Sequence, residues 1–195
     1  MQTRSVELAM KNNLTLQVLS SLTNNEGTYI VDEDKLIEKE IVSGVSSNIN
    51  EAKLTISGIP DKPGISAKIF GLMAGNNINV DMIVQNISQD GINANITFTV
   101  PLKDQHYVKE ILEENKKEIN YSNLSVDSEI SKISVVGMGM MSQSGVAEKM
   151  FKTLAENKIN ILAISTSEIK ISVLIEKKYT ELAIKSLHNV YKLDI

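Results

Sequence analysis

Residues with chemical potential gather around one short junction. Asp61-Lys62-Pro63-Gly64 joins a strand-like run, Leu54 to Ile59, to a helix-like run that begins near Gly64. A helix start exposes backbone N–H groups without intrahelical partners and carries partial positive charge. A small anion such as a carboxylate gains about 0.3–1 kcal/mol there. Gly64 allows close backbone approach and Pro63 fixes the loop. Asp81 and Gln85 follow near the next strand, spaced to share one strand face, and Gln85 can both donate and accept. The plain alternative is that Asp61–Gly64 is only a turn and a helix start, with Asp81 a solvated acid and Gln85 an ordinary polar strand residue.

Other chemistries find no support. The chain has no Cys, hence no disulfide and no thiolate metal site. His106 and His188 lie in polar helical stretches and form no metal pattern. Gly137-Met138-Gly139-Met140-Met141-Ser142 is a near miss of the dinucleotide fingerprint. The strands expected after it, 161–166 and 168–175, follow each other without the helix that a βαβ unit needs, so that reading fails. No Walker loop, no G-x-S-x-G and no cluster of titratable groups suggests a small enzyme. The methionines near residue 140 read as loop and core packing. A net charge of −4 gives no electrostatic case for nucleic acid or an anionic membrane. No run of about 18 apolar residues and no signal-peptide core is present, and with no Cys a cytoplasmic location is expected.

The elements that position the junction occur twice. Lys53-Leu54-Thr55-Ile56-Ser57-Gly58 resembles Lys132-Ile133-Ser134-Val135-Val136-Gly137, 79 residues on. Gly64, Lys68, Phe70, Ala74, Asn76, Ile78 and Asn79 then match Gly145, Lys149, Phe151, Ala155, Asn157, Ile159 and Asn160 at a constant offset of 81. The second copy thus carries two extra loop residues, and the chain is a duplication. Ile92, Ala94, Ile96, Phe98 and Val100 alternate with polar residues, as do Ile169, Ile171, Val173 and Ile175, and both predict half-buried strands. Ile65, Ile69, Leu72 and Met73 have helical spacing; Met150, Leu154 and Asn157 follow it less clearly. Val108, Ile111 and Leu112, then Leu182, Ala183 and Leu187, predict a second helix in each copy. Asp90-Gly91 reads as a hairpin turn. The order in each copy is strand, helix, strand, strand, helix, strand: a ferredoxin-like α+β module, with an antiparallel sheet and both helices on one face. Apolar residues make up 42% and aromatics 4%, so the cores must be aliphatic. Surfaces left uncovered by so small a module predict a homodimer.

Residues 1–38 belong to neither copy. Ser5 is a candidate N-cap for a helix through Met10, and Leu14 to Ser20 and the end of "NNEGTYI" suggest two strands. One helix and two strands close no core, so they read as the tail of a larger domain. Lys35 to Glu40 reads as a linker or exposed helix, and Ile41 to Val45 as a fresh strand.

The repeat resembles the ACT domain, whose hallmark strand, D-x-P-G loop and helix stand here at Asp61-Lys62-Pro63-Gly64. "RSVELAMK", "SSLTNNEGTYI", "GVSSNINEAKLTISGIPDKPG", "NINVDMIVQN", "VVGMGM" and "NINILAISTSEIKISVLI" together resemble the C-terminal region of the aspartate kinase family from end to end. The resemblance implies two ACT domains: one over 51–127, and one made of 39–50 plus 128–195, because in this family the first unit is inserted in the second. It implies that 1–38 ends a kinase domain and its linker, and that the chain is a fragment or a separate regulatory subunit without catalytic residues or cofactor. ATP and Mg2+ would belong to the kinase domain, which phosphorylates aspartate in lysine, threonine and methionine biosynthesis. The chain would sense lysine, threonine or both, pairing through its ACT domains with a second copy or a kinase-bearing subunit. The effector carboxylate would dock at Pro63, Gly64, Ile65 and Ser66. Its ammonium would go to Asp81, or to Asp61, with Gln85 alongside. Ser144, Gly145, Val146 and Ala147, then Asn160, Ile161 and Ser167, would complete the pockets. Leu162 stands where Asp81 stands in the first copy, so the two loops should play unequal roles. A free-standing ACT-repeat regulator without a kinase is the alternative.

Overall fold

The computed structural model describes residues 2–31, 42–88, 91–137 and 145–193. The chain forms two compact units, residues 1–39 and 40–195. In the smaller one, α1 (Thr3–Lys11) precedes the antiparallel pair β1 (Leu16–Val18) and β2 (Thr28–Ile30). The helix begins three residues earlier than expected: Gln2 occupies the cap position, no side chain caps it, and Ser5 lies in the first turn. Leu8, Leu14 and Leu22 remain exposed. The expected linker, Lys35 to Glu40, lies outside the described residues.

The larger unit holds two four-stranded antiparallel sheets. The first is built from β4 (Glu51–Pro60), β5 (Ile83–Ile87), β6 (Asn93–Pro101) and β7 (Asn123–Asp127), in the order β5-β6-β4-β7. Its helices are α2 (Ile65–Gly75), α3 (Gln105–Glu114) and the short α4 (Lys116–Ile119). The second sheet contains β3 (Gly44–Asn48), β8 (Ile130–Val136), β9 (Ala163–Thr166) and β10 (Lys170–Glu176), in the order β3-β8-β10-β9. Helices α5 (Val146–Glu156) and α6 (Thr180–Tyr191) pack with it. Strand β3 pairs with β8 from Gly44 opposite Val136 to Asn48 opposite Lys132, so a strand that precedes the first sheet completes the second.

Alternation builds each core. Leu54 and Ile56 of β4, and Ile96, Phe98 and Val100 of β6, meet Ile69 and Met73 of α2 and Val108, Ile111 and Leu112 of α3. Phe70 and Phe98 meet edge to face at 5.5 Å. In the second copy Ile133, Val135, Ile171, Val173 and Ile175 pack with Met150, Leu154, Ala183 and Leu187. A smaller cluster, Met82, Ile130 and Leu174, contains residues of both copies. Three expected core residues turn out exposed: Ile92, just ahead of β6, at 71%, with Ile169 and Leu182 at 42% each. Ile92 and Ile169 sit at turns outside the ladders, where alternation no longer sets the face. At the hairpin, Ser88 N–H donates to the Asn93 carbonyl at 2.7 Å and Gly91 has φ +66°. Asp90 lies outside the described residues.

The β4–β6 register shifts between Ile56 and Ile59. Gly58 sits in that bulge with φ +68°, and a Cβ built on it would lie 2.3 Å from Ser122 Oγ. Only glycine fits there. Gly58→Ala is expected to destabilise the protein by about 1–3 kcal/mol, read as a lower denaturant midpoint with an unchanged m-value.

Candidate functional site

The two loops reach their helices by the same backbone device. Gly64 caps α2 at φ +96° and Gly145 caps α5 at φ +101°, and neither helix has a side-chain cap. Left-handed backbone at both points explains why glycine stands at each. A Cβ at either would meet nothing within 4 Å, so strain, not crowding, selects glycine.

At the first loop, Ser66 Oγ donates to Gln85 Oε1 at 2.9 Å, which unites two expected site residues from α2 and the edge strand β5. Asp61 and Pro63 are exposed beside them, and Asp61 N–H donates to the Ile92 carbonyl at 3.0 Å. Ile65 turns partly into the first core, so it offers the site its backbone.

Asp81 is elsewhere. The ladder sets Pro60 opposite Asn93 at the loop end of the sheet, whereas Asp81 N–H donates to the carbonyl of Thr99, six residues further along β6. Six strand residues span about 20 Å. Helix α2, eleven residues long, separates the Gly64 loop from the segment leading to Asp81 by about 16 Å. Within one chain no single amino acid reaches both, so a zwitterion held by Gly64 and Asp81 where two protomers meet would take one group from each. Asp81 and Met82 both meet Thr99 of β6, so the alternation running back from Gln85 is interrupted before it reaches Asp81.

Asp81 instead joins an ion cluster. Lys132 Nζ of β8 donates both to Asp81 Oδ2 and to Glu51 Oε1. Asn48 Nδ2 also donates to Glu51 Oε1, at 2.7 Å. Burial is the largest influence on the Lys132 ammonium and would lower its pKa, but its hydrogen bonds to Asp81 and Glu51, with their charges, outweigh it, and the net direction is upward. Neither Glu51 nor Lys132 was singled out from sequence. The available signal was that Lys132 is the repeat counterpart of Lys53, which pairs with Asp127 at 3.4 Å.

In the second loop Ser144 lies outside the described residues. Val146 is buried in the second core and can offer only its backbone, while Ala147 and Ile161 pack partly against that core. Asn160 is exposed. Ser167 N–H donates to the Lys170 carbonyl at 2.8 Å, and its Oγ accepts from Lys170 N–H at 3.2 Å, so its hydroxyl is engaged in the β9–β10 turn. Among the described residues no group of three His, Asp or Glu could hold a metal ion, and no helix is long and apolar enough to cross a membrane.

Residues 54–120 and residues 133–191 each match the ACT domain family. An aspartate kinase from Pseudomonas fluorescens is 49% identical over 195 residues, covering 100% of this chain and 47% of that protein. A crystal structure of aspartokinase alpha and beta subunits contains a chain 46% identical, with a TM-score of 0.72, over 77% of this chain and 99% of that one. The chain belongs to the aspartate kinase family. The ligand-free regulatory subunit of aspartate kinase from Thermus thermophilus is 36% identical, with a TM-score of 0.74, over 78% of this chain and 99% of that one. The chain spans about half the length of the curated aspartate kinases it matches.

In this member of the aspartate kinase family the two helix starts are anchored differently. Lys68 of α2 pairs with Glu118 at 2.8 Å. Its repeat counterpart Lys149 lies 5.2 Å from the Tyr191 ring centre, and the Tyr191 hydroxyl donates to the Val146 carbonyl at 2.7 Å. Burial pushes the Tyr191 phenol up to about 12. A folded-state value above the ordinary 10.0 means that this contribution to stability is complete below pH 10 and is lost as pH rises toward 12. Tyr191→Phe is expected to remove that share of the alkaline loss, flattening the stability–pH curve from pH 10 to 12 in denaturant titrations.

Proposed function

We propose that this chain is the effector-sensing regulatory region of an aspartate kinase and that it binds lysine, threonine or both. The observation that carries the reading is the Ser66–Gln85 hydrogen bond beside the left-handed start of α2. It gathers backbone N–H groups, a hydroxyl and an amide at one open helix end. An amino-acid carboxylate would dock on the first-turn N–H groups of α2. Gln85, released from Ser66, would accept from the ammonium, with exposed Asp61 on the same loop as a second acceptor.

The second loop, with Gly145 and Asn160, has its Ser167 hydroxyl committed to a turn and plays the lesser role. Edge strand β5 leaves Ile83 and Ile87 exposed next to this site, and a second copy covering them through the ACT domains would make a homodimer. A kinase-bearing subunit would be the other partner. Residues 1–38 would be the end of the kinase domain, whose remainder would cover Leu8, Leu14 and Leu22. Aspartate phosphorylation, with ATP and Mg2+, would belong to that domain, and this chain alone would show none. The setting is the cytoplasm.

A ligand at about 100 times its dissociation constant adds about 2.7 kcal/mol to stability. Lysine or threonine, singly or together, is expected to raise the melting temperature, while Gln85→Ala shrinks the shift. A flat response to both amino acids and their mixture would end this reading.

A further inference from the structure

The two ACT domains are joined by two short links. Ile49-Asn50 carries β3 into β4, and Ser128-Glu129 carries β7 into β8. The links are repeat counterparts and are built alike. Asn48 Oδ1 accepts from Asn50 N–H at 3.0 Å, and Asp127 Oδ1 accepts from Glu129 N–H at 3.1 Å. The Asn50 carbonyl accepts from Leu102 N–H in the first domain, and the Glu129 carbonyl from Lys177 N–H in the second, both at 2.9 Å. Paired links this short restrict the domains to a hinge motion and leave the angle between them to the side chains at the seam.

Those side chains break the symmetry at one position. Lys53 and Lys132 are counterparts, and each is paired in its ladder with the last residue of the neighbouring strand: Lys53 with Asp127, Lys132 with Asn48. Asp127 Oδ2 lies 3.4 Å from Lys53 Nζ, so that ammonium is neutralised inside the first domain. Asn48 carries no charge, and its Nδ2 donates to Glu51 Oε1 at 2.7 Å. The Lys132 side chain is only 12% exposed. A charge so far from water needs a counter-charge. Lys132 finds it across the seam, on Glu51 of β4, itself 7% exposed, and on Asp81. Another contact at the seam is apolar: Met82 of the first domain packs with Ile130 and Leu174 of the second.

We propose that Asn48, standing where the first copy has Asp127, frees Lys132 to act as a charge latch on Glu51 that fixes the angle between the two ACT domains. With the latch closed the domains swing as one body. With it open, the links and the Met82 cluster hold them alone. A change at one helix start is then carried into the other domain and not absorbed at the seam. The latch acts whether or not a ligand is bound, so it stands apart from the amino-acid-sensing reading.

Distance measurement between spin labels in the full chain tests it. The chain has no cysteine of its own, so Glu110→Cys on α3 and Lys185→Cys on α6, both exposed, place one label in each domain. Dilution with unlabelled chain restricts the reading to pairs within one molecule. Asn48→Asp keeps the link geometry that Asp127 shows and offers Lys132 a partner in its own domain. It is expected to replace one narrow distance by a distribution about twice as wide. The neutral pair Glu51→Gln with Lys132→Met strands no buried charge and is expected to do the same. Lys132→Arg keeps the charge and should keep the narrow distance.

Lys53→Met with Asp127→Asn removes the counterpart pair inside the first domain and should leave the width unchanged, which a general loss of stability would not. A wild-type width in Asn48→Asp or in the neutral pair overturns the latch, and so does an equal widening in the Lys53 and Asp127 variant. Should the neutral pair fail to fold, Asn48→Asp decides alone.

Discussion

Along each central strand alternate side chains are committed to the core beneath the helices, and the residues between them must go to the opposite face. Ala52, Leu54 and Ile56 are fully buried, which sends Glu51, Lys53 and Thr55 to the helix-free side of the first sheet. Ile133 and Val135 are equally buried, and Lys132 and Ser134 take the helix-free side of the second. The polar character of these faces follows. Thr55 and Thr97 hydrogen-bond across the first at 3.0 Å, and Ser134 and Ser172 across the second at 2.8 Å. Glu51 and Lys132 meet because both cores have already claimed the residues beside them.

The duplication gives two copies of one scaffold that have diverged where chemistry is possible. Both keep a glycine near φ +100° ahead of the first helix, since no other residue takes that backbone without strain. Around that fixed point the partners differ: an ion pair steadies α2, and a phenol under a lysine steadies α5. The first copy gains a serine–glutamine pair at its helix start, while the second commits Ser167 to a turn.

Much of this was legible in the residues. Period-two alternation in Asn93–Pro101 and Lys170–Glu176, helical spacing in Ile65–Gly75, and a constant offset of 81 between the copies predict the ferredoxin-like modules before any coordinates. Ser66 enters through the family resemblance, and Gln85 through its place on the strand that follows the first helix. Asp81 is near Gly64 in sequence, but an eleven-residue helix intervenes and carries the chain to the far end of the sheet, so one chain alone does not bring the two together. Glu51 and Lys132 were missed because their meeting depends on how two sheets approach each other, which no local pattern encodes. Ile92 and Ile169 followed the alternation on paper, but the ladders stop before reaching them, and solvent takes over.

The pairing of β3 with β8 also sets an order of assembly. As the chain is synthesised, Gly44–Asn48 emerges long before Lys132–Val136, with the entire first ACT domain in between. At translation rates of about 5–20 residues per second, that strand waits on the order of several seconds with both edges unpaired. The first domain can close during the interval, because every strand of its sheet lies between Glu51 and Asp127. Its closure brings the ends of β4 and β7 side by side, Lys53 opposite Asp127, and shortens the loop that β3 and β8 must bridge. The inserted domain thus acts as a folding clamp for the domain that surrounds it, and damage to its core would first be felt as a delay in completing its neighbour.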